Sequence, residues 1–232
     1  DMEKLSIPDG FVRYTASETD IKIKLMYFSK HNFMGRKAAG YLANDVLILT
    51  HQAAKQLLKV QEEFMREGYM LVVYDAYRPK KAVQDFIAWG KDADDTRMKE
   101  KFYPYLEKKN ICSSGYLATT RSAHSRGSSV DISLLPLNRR LYHPVLRHRR
   151  LSNGKTIPFY DDGTLDMGSS VDLFDVVSWS TNENISPFQY KNRIYLQNKM
   201  IKFGFDIYEK EWWHFTLTNE PFPDTYFDFD VK

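Results

Sequence analysis

The sequence predicts an α+β fold. Three observations support this class: apolar residues at helical spacing in some segments, short apolar runs of strand length in others, and no regular βαβ rhythm. The 232 residues are 43% hydrophobic and 15% aromatic, as is typical of a chain that folds around a core. No internal repeat, low-complexity tract or Gly/Ser linker divides them, so we expect a single domain over residues 1–232.

The first half of the chain predicts two helices on either side of a buried strand. A long helix is expected from an N-cap at Asn44 to Gly68. Its apolar residues recur at three- and four-residue steps: Val46, Leu49, Ala53, Leu57, Val60 and Phe64. The run YMLVVY, residues 69–74, predicts a buried strand. Pro79 opens the next helix and holds Arg78 extended before it.

The second half predicts a strand, a helix and a hairpin. Residues 129–134 alternate apolar and polar side chains, which indicates a half-buried strand. A helix is expected from about Phe188 to Phe203, ending at Gly204. The aromatic run FDIYEKEWWHFTL, residues 205–217, favours a hairpin or a pair of strands.

One segment between these elements is strongly basic. Residues 139–150 contain five arginines and two histidines, and no acid follows before Asp161. We interpret residues 137–165, approximately, as a basic insertion that forms a solvated loop or hairpin. A binding patch for an anionic partner is the alternative.

The composition excludes several functional classes. Cys112 is the only cysteine, which excludes an intramolecular disulfide framework and a cysteine-rich zinc site, so any metal ligands must be His, Asp or Glu. A net charge of +3 gives no support for a nucleic-acid partner. The sequence has no run of about 18 apolar residues, so no membrane span is predicted.

The segment SAHSRGSSVD, residues 122–131, is a candidate metal site because it combines His124 with Asp131. A helix would separate these residues by roughly 10 Å along its axis, whereas two ligands of one zinc ion lie within about 4 Å of each other. Gly127 allows the chain to turn back, which would place His124 on a loop beside the strand of Asp131. The alternative is a surface histidine and an aspartate in a strand salt bridge.

The segment EWWH, residues 211–214, supplies a second histidine. Residues three apart on a regular strand face opposite sides, so Glu211 must lie at a bend if it shares a site with His214. Two consecutive tryptophans would shield such a site from water and raise the pKa of a carboxyl group. The alternative is a core aromatic pair beside an incidental glutamate and histidine.

The segment YDAYRP, residues 74–79, places Arg78 between a strand end and a helix start. An arginine fixed there could stabilise a developing oxyanion or hold a substrate carboxylate; an ordinary surface arginine is the alternative. Together the three segments contain each part of a mononuclear zinc hydrolase: two histidines and a carboxylate as ligands, a spare glutamate and a fixed cation.

The segments YDAYRP, SAHSRGSSVDISL, LDMGSSVDLFD and EWWHF resemble the D-alanyl-D-alanine dipeptidases of the vancomycin-resistance type. These enzymes are zinc D,D-peptidases related to the Hedgehog N-domain. The resemblance extends from about Ile7 to Leu217, and Trp212 favours the dipeptidase branch over the carboxypeptidase branch. It implies the Hedgehog/D,D-peptidase fold, in which helices flank a central, mainly antiparallel sheet.

The resemblance also implies an activity, the zinc-dependent hydrolysis of D-Ala-D-Ala or other small D,D-dipeptides. In that mechanism His124, Asp131 and His214 would be the ligands of Zn²⁺. Glu211 would be the general base that activates the metal-bound water, and Arg78 would stabilise the transition state.

Three further residues match family positions. Ser122 and Asp166 match positions that help to hold the substrate's amino end, and Asp172 matches a position with a supporting role. Between Asp131 and Asp166 this chain is longer than typical family members, because it contains the basic insertion. The insertion would cover the site as a lid or extend it.

Other activities use the same residues. A D,D-carboxypeptidase or peptidoglycan endopeptidase would need the same zinc site, and a non-catalytic zinc-binding module would need neither Glu211 nor Arg78. A nucleophilic Cys112 paired with a histidine is the least favoured reading, since no base is placed beside it. The chain begins at Asp1 rather than Met, so we expect that an upstream segment was removed, which leaves the compartment open. The bacterial periplasm or cell envelope is slightly favoured over the cytoplasm.

Overall fold

The computed structural model describes residues 7–232, which form nine strands and four helices. Asp1, on which the expectation of a removed upstream segment rests, lies outside the described residues. The strands are β1 (Phe11–Thr15), β2 (Lys22–Ile23), β3 (Val46–Thr50), β4 (Tyr69–Asp75), β5 (Ser129–Pro136), β6 (Val145–Arg150), β7 (Thr156–Asp161), β8 (Phe205–Tyr208) and β9 (Glu211–Leu217). The helices are α1 (His51–Arg66), α2 (Lys80–Lys91), α3 (Lys99–Phe102) and α4 (Pro187–Lys202). None of the helices in residues 7–232 is both long and apolar enough to span a membrane.

A five-stranded sheet with the order β2-β4-β5-β9-β8 forms the centre of the fold. β2 and β4 are parallel, and the other neighbouring strands are antiparallel. Two smaller antiparallel sheets, β1-β3 and β6-β7, lie outside it. The predicted α+β class with a mainly antiparallel central sheet is confirmed.

The prediction of a helix beginning near Asn44 is wrong. Residues Val46–Thr50 form β3, which pairs with β1 from Phe11↔Thr50 to Thr15↔Val46. The VLILT sequence contains β-branched side chains that suit a buried strand. The helix begins at His51, where the Thr50 side chain caps the Ala53 N–H. The apolar residues of β3 happen to continue the three- and four-residue spacing of α1, so the predicted helix began too early.

The other predicted elements are observed near their expected limits. The run YMLVVY lies in β4, Pro79 is the N-cap of α2, and the 205–217 segment forms the β8–β9 hairpin. α4 begins with a capping box, in which the side chains of Ser186 and Gln189 each bond to the other's backbone N–H. The basic segment contributes β6, which is largely exposed and forms a hairpin with β7, whose residues after Thr156 are buried or half-buried.

The prediction that β5 is half-buried is wrong, because the strand is buried on both faces. Its apolar residues Val130, Ile132 and Leu134 lie in the main hydrophobic core. Its polar residues Asp131 and Ser133 are also buried, at 2% and 1% exposure. Because side chains alternate along a strand, these two residues share the opposite face of the sheet. Buried polar side chains on that face mark the functional part of the fold.

Candidate metal centre and active site

His124 is positioned by a tight turn that precedes β5. Ser122 caps a single turn of 3-10 helix, Ala123–Arg126, and its hydroxyl oxygen accepts a hydrogen bond from the His124 N–H at 3.3 Å. Gly127 follows with a φ of 88°, a conformation that favours glycine. The chain therefore reverses at Gly127 as predicted, and His124 lies beside the strand that carries Asp131.

Three potential ligand atoms converge at this point. Asp131 and His214 are direct partners across β5 and β9. His124 Nε2 lies 3.2 Å from both Asp131 Oδ1 and His214 Nδ1, and the latter two atoms are 3.1 Å apart. Ligand atoms around a tetrahedral zinc ion lie about 3.3 Å from one another when the bonds are about 2 Å long. The three residues could therefore hold a metal ion.

The outer nitrogens of both imidazole rings have partners that orient the inner nitrogens. His124 Nδ1 lies 2.7 Å from the Ala76 carbonyl oxygen, which can only accept, so Nδ1 carries a proton and Nε2 is the atom that faces Asp131 and His214. His214 Nε2 lies 3.2 Å from the Thr216 hydroxyl. Three potential acceptor atoms this close together need a shared proton or a bound cation between them. Two imidazoles and one carboxylate in this arrangement fit a zinc ion.

Asp131 is ionised in this setting. Burial acts to raise the pKa of its carboxyl group, but the charge and hydrogen bonds of His124 and His214 outweigh burial and hold that pKa well below its usual range. Arg78 Nη2 adds positive charge 3.7 Å from Asp131 Oδ2. The carboxylate is thus in the protonation state that metal binding requires.

Arg78 is fixed beside the three ligand atoms by a buried aspartate. Its Nε and Nη2 donate to Asp75 Oδ2 at 2.9 and 2.8 Å. Asp75 is fully buried and also accepts a hydrogen bond from the Tyr41 hydroxyl at 2.5 Å. Arg78 Nη1 lies 3.4 Å from Ser122 Oγ. At 8% exposure Arg78 is not an ordinary surface arginine, and its orientation is set before any substrate binds.

Glu211 reaches the same site because β9 begins at a bend. The pairing of β8 with β9 shifts register between Ile207 and Tyr208, next to Glu211. Glu211 Oε2 lies 4.0 Å from His214 Nδ1, although the residues are three apart. Burial, followed by the charges of Asp131 and Asp172, raises the pKa of Glu211 well above its usual value. A carboxyl group with a raised pKa holds a proton more readily than an ordinary glutamate does.

These residues line a cavity of about 540 Å³, which we call the histidine cavity. Six of the seven residues predicted to bind metal, act in catalysis or bind substrate line it: Arg78, Ser122, His124, Asp131, Glu211 and His214. Asp172 also lines it, and among the described residues Asp172 is the only non-glycine with positive φ, at 65°. The Tyr27 hydroxyl donates a hydrogen bond to Asp172. Burial and the Asp131 charge raise the pKa of Asp172 to about 7.

Asp166 is the one predicted site residue that does not line the histidine cavity. Its carboxylate accepts hydrogen bonds from Arg149 Nη1 at 2.7 Å, the Gly168 N–H at 2.9 Å and Gln189 Nε2 at 3.0 Å. These contacts connect the β6–β7 hairpin to α4. Asp166 thus has an evident structural role, and its predicted role in substrate binding has no support from the geometry.

Sequence reasoning assigned no role to Asp75 or Tyr27. Asp75 could have been found, because it ends a buried strand and precedes Arg78 by three residues. Tyr27 had no such signal, since its contact with Asp172 joins distant parts of the chain. Cys112 also lines the histidine cavity, but burial raises the pKa of its thiol. A raised pKa disfavours the thiolate, so the structure gives no support to a nucleophilic cysteine.

Comparison with known proteins identifies relatives over most of the chain. A family model described as D-ala-D-ala dipeptidase matches residues 8–140 and 152–232. A D-alanyl-D-alanine dipeptidase of Enterococcus faecalis (strain ATCC 700802 / V583) is 37% identical over 224 residues, which cover 97% of this chain and 99% of that protein. One of Enterococcus faecium is 36% identical over 206 residues, covering 89% of this chain and 90% of that protein.

A third relative, from Streptomyces coelicolor (strain ATCC BAA-471 / A3(2) / M145), has the same printed name and is 35% identical over 205 residues, covering 88% of this chain and 90% of that protein. Residues 141–151, between the two matched segments, are unmatched. They lie within the predicted basic insertion, residues 137–165, and include β6. The matched segments contain every residue that lines the histidine cavity. On these grounds the chain belongs to the D-ala-D-ala dipeptidase family of peptidases.

Proposed function

We propose that the chain is a zinc-dependent dipeptidase that hydrolyses D-Ala-D-Ala and other small D,D-dipeptides. The observation that carries this proposal is the convergence of three metal-ligand atoms with Glu211 and Arg78 on one cavity. Membership of the D-ala-D-ala dipeptidase family supports the substrate class.

Glu211 would act as the general base and then as the general acid. His124, Asp131 and His214 would hold the zinc ion, as their spacing and protonation permit. A bound zinc ion supplies Lewis acidity, which polarises a carbonyl oxygen and lowers the pKa of a water molecule. Glu211 would accept the proton of the attacking water and give it to the leaving amine, and its raised pKa favours holding the proton between the two transfers.

Arg78 would stabilise negative charge on the substrate's carbonyl oxygen. Asp75 holds the guanidinium in place, so it needs no reorganisation during the reaction. The contribution should resemble that of one oxyanion-hole donor, about 2.7 to 4 kcal/mol of transition-state stabilisation.

The substrate's amino end would bind beside Ser122 and Asp172. Both residues line the histidine cavity, and a carboxylate there is a natural partner for an ammonium group. An adjacent ammonium would favour the ionised form of Asp172, which is accessible because its pKa is about 7. The substrate-binding role predicted for Asp166 stays a prediction, since its carboxylate is already bonded to Arg149 and Gln189.

The test combines metal content with hydrolysis of free D-Ala-D-Ala before and after treatment with a chelator. We expect about one zinc ion per chain, loss of hydrolysis when zinc is removed, and recovery when zinc is returned. Unchanged hydrolysis by the metal-free protein would overturn the proposal.

A peptidoglycan pentapeptide stem ending in D-Ala-D-Ala is the matched substrate control. A dipeptidase cleaves the free dipeptide and leaves the stem intact, whereas a D,D-carboxypeptidase on the same zinc site releases D-alanine from the stem. If the protein cleaves the stem but not the free dipeptide, it is a D,D-carboxypeptidase and not a dipeptidase.

A further inference from the structure

A second cavity lies on the same face of the central sheet as the histidine cavity. It has a volume of about 510 Å³ and we call it the lysine cavity. Three lysines lie on its wall: Lys24, Lys30 and Lys101. Along β5, Asp131 lines the histidine cavity and Ser133 lines the lysine cavity. Along β9, His214 lines the histidine cavity and Trp212 lines the lysine cavity. The two cavities are therefore neighbours along the strands.

Two chain segments separate the cavities. Tyr27 and Asp172 line the histidine cavity and are hydrogen-bonded to each other. Their chain neighbours Met26 and Val171 line the lysine cavity instead. A ligand in the lysine cavity would thus lie behind this partition, apart from Glu211 and the three metal-ligand residues.

The lysine cavity has an excess of positive charge. Within residues 7–232, none of its three lysines lies within 4.0 Å of a carboxylate oxygen. The one acidic residue on the described wall, Asp162, already accepts hydrogen bonds from a tyrosine and from a threonine. Desolvation lowers the pKa of the half-buried Lys24 although the charge of Asp162 acts to raise it, and the Lys24 ammonium donates a hydrogen bond to the Tyr142 carbonyl oxygen at 3.3 Å. An anion bound among the three lysines would add negative charge to a wall on which Asp162 is the one described acid.

The positive charge of the lysine cavity also affects the pKa of His31, which lies on the same wall. Burial, followed by repulsion from Lys24, His143 and Lys101, lowers its pKa to about 4. His31 is therefore neutral at pH 7, and the positive charge of the cavity comes from its lysines. A neutral imidazole can also donate or accept a hydrogen bond to a ligand.

The floor of the cavity offers an unused polar group within an apolar surface. Ser133 is 1% exposed, and its hydroxyl has no hydrogen-bond partner among residues 7–232. A buried hydroxyl without a partner is costly, so a ligand that bonds to it gains affinity. Leu25, Tyr160 and Trp212 line the cavity around it. A ligand that fills this space needs an apolar body as well as an acidic group.

The basic insertion, residues 137–165, forms part of the wall of the lysine cavity. His143 and Pro144 precede β6, Phe159 and Tyr160 lie on β7, and all four line the cavity. His143 and Pro144 fall within residues 141–151, which the family model leaves unmatched. The cavity is thus partly made by the segment in which this chain departs from its family.

We propose that the lysine cavity binds a small organic anion, whose acidic group pairs with the lysines and whose apolar body packs against Tyr160 and Trp212. The anion would be a separate ligand and not part of the dipeptide substrate. This inference does not depend on the activity proposed for the histidine cavity.

Calorimetric titration of the full chain with naphthalene-2-sulfonate tests the proposal. Naphthalene-2-sulfonamide has nearly the same shape without the charge, and we expect it to bind at least tenfold more weakly. The double variant Lys30→Met/Lys101→Met should also weaken sulfonate binding at least tenfold. Both lysines are exposed, so the variant should fold normally.

The variant Lys55→Met/Lys59→Met removes the same charge from exposed positions on α1 and should leave sulfonate binding unchanged. Saturating D-Ala-D-Ala should not displace the sulfonate, whether or not the chain hydrolyses the dipeptide. Equal binding of the two naphthalene compounds, equal loss in both double variants, or displacement by the dipeptide would overturn the proposal. Failure of the dipeptidase assay would not affect it.

Discussion

Glu211 is the residue on which the proposed chemistry depends most directly. We expect Glu211→Gln to lower kcat for D-Ala-D-Ala at least a hundredfold, because general acid–base catalysis typically contributes 10²–10⁴-fold. Zinc content should stay unchanged, since the three ligand atoms belong to other residues. Steady-state kinetics and metal analysis of the purified variant give both values.

Glu209→Gln is the matched control, because Glu209 is exposed on the turn two residues before Glu211. It should retain normal kinetics. Turnover by Glu211→Gln at the control's rate would exclude Glu211 as the base, and loss of zinc from that variant would assign it to the metal site instead.

His31 makes stability depend on pH. Its pKa is about 4 in the folded chain and about 6.5 when unfolded. The unfolded chain therefore binds more protons between these values, so the stabilisation present above pH 6.5 is lost as the pH falls towards 4. Between pH 7 and pH 5 the original protein should lose about 1–2 kcal/mol more unfolding free energy than His31→Gln.

Urea denaturation at the two pH values measures this difference. His51→Gln changes an exposed histidine at the start of α1 and is the control. It should follow the pH dependence of the original protein. If the unfolding free energy of His31→Gln has the same pH dependence as that of the original protein, His31 is not held neutral by its surroundings.

The spacing of the site residues explains which of them the sequence could predict. His124 and Asp131 lie in one short segment and Glu211 and His214 in another, so one glycine turn and one bend account for the geometry within each segment. The pairing of the two segments across β5 and β9 is a long-range contact, which only the family resemblance predicted. Asp166 lies beyond the β6–β7 hairpin, and its position depends on long-range contacts such as that with Arg149. Local spacing carries no information about such contacts.

At the scale of the element, the turn between His124 and β5 is the most constrained. A Cβ added to Gly127 would lie 2.3 Å from the Phe11 ring, and the φ of 88° is already unfavourable for other residues. Gly127→Ala should lower the unfolding free energy by about 3 kcal/mol, from left-handed strain and overpacking together. It should also weaken zinc binding, because the shift is passed to His124.

Gly68→Ala separates these two effects. Gly68 has a similar φ of 94° after α1, but a Cβ there meets nothing within 4 Å. This variant should lose only about 1 kcal/mol, from strain alone, and should bind zinc normally. Urea denaturation and zinc titration compare the two variants. Equal losses would show that contact with Phe11 does not constrain the turn.

The elements also show where sequence patterns fail. α2, α4 and the β8–β9 hairpin have proline, glycine or capping signals at their ends, and their predicted limits are nearly those observed. β3 runs directly into α1, and its last residue, Thr50, is the true N-cap, but the apolar residues of β3 extended the helical pattern back to the alternative cap Asn44. What makes residues 46–50 a strand is pairing with β1, a tertiary contact.

At the scale of the whole molecule, one face of the central sheet carries both cavities. The net charge of +3 conceals this arrangement, since the histidine cavity gathers carboxylates while the lysine cavity gathers cations. The family resemblance predicted the mainly antiparallel sheet and the three residues that converge at the candidate metal centre. The sequence could not predict the lysine cavity, which is built from segments that are distant in the chain.

Zinc should stabilise the whole fold, because its three ligands join the turn before β5 to β5 and to β9. A metal at 1,000 times its Kd contributes about 4 kcal/mol, which for a chain of this size corresponds to a rise in Tm of about 10 °C. We therefore expect a chelator to lower the calorimetric Tm of the original protein by about 10 °C and zinc to restore it.

The variant His214→Gln lacks one ligand and supplies the control for nonspecific effects of the chelator. Its Tm should resemble that of the chelated original protein and should not respond to either reagent. The metal-free fold should persist, since Arg78 and the remaining histidine still compensate Asp131. A Tm of the original protein that is the same with zinc and with chelator would show that the three ligand atoms hold no metal in solution.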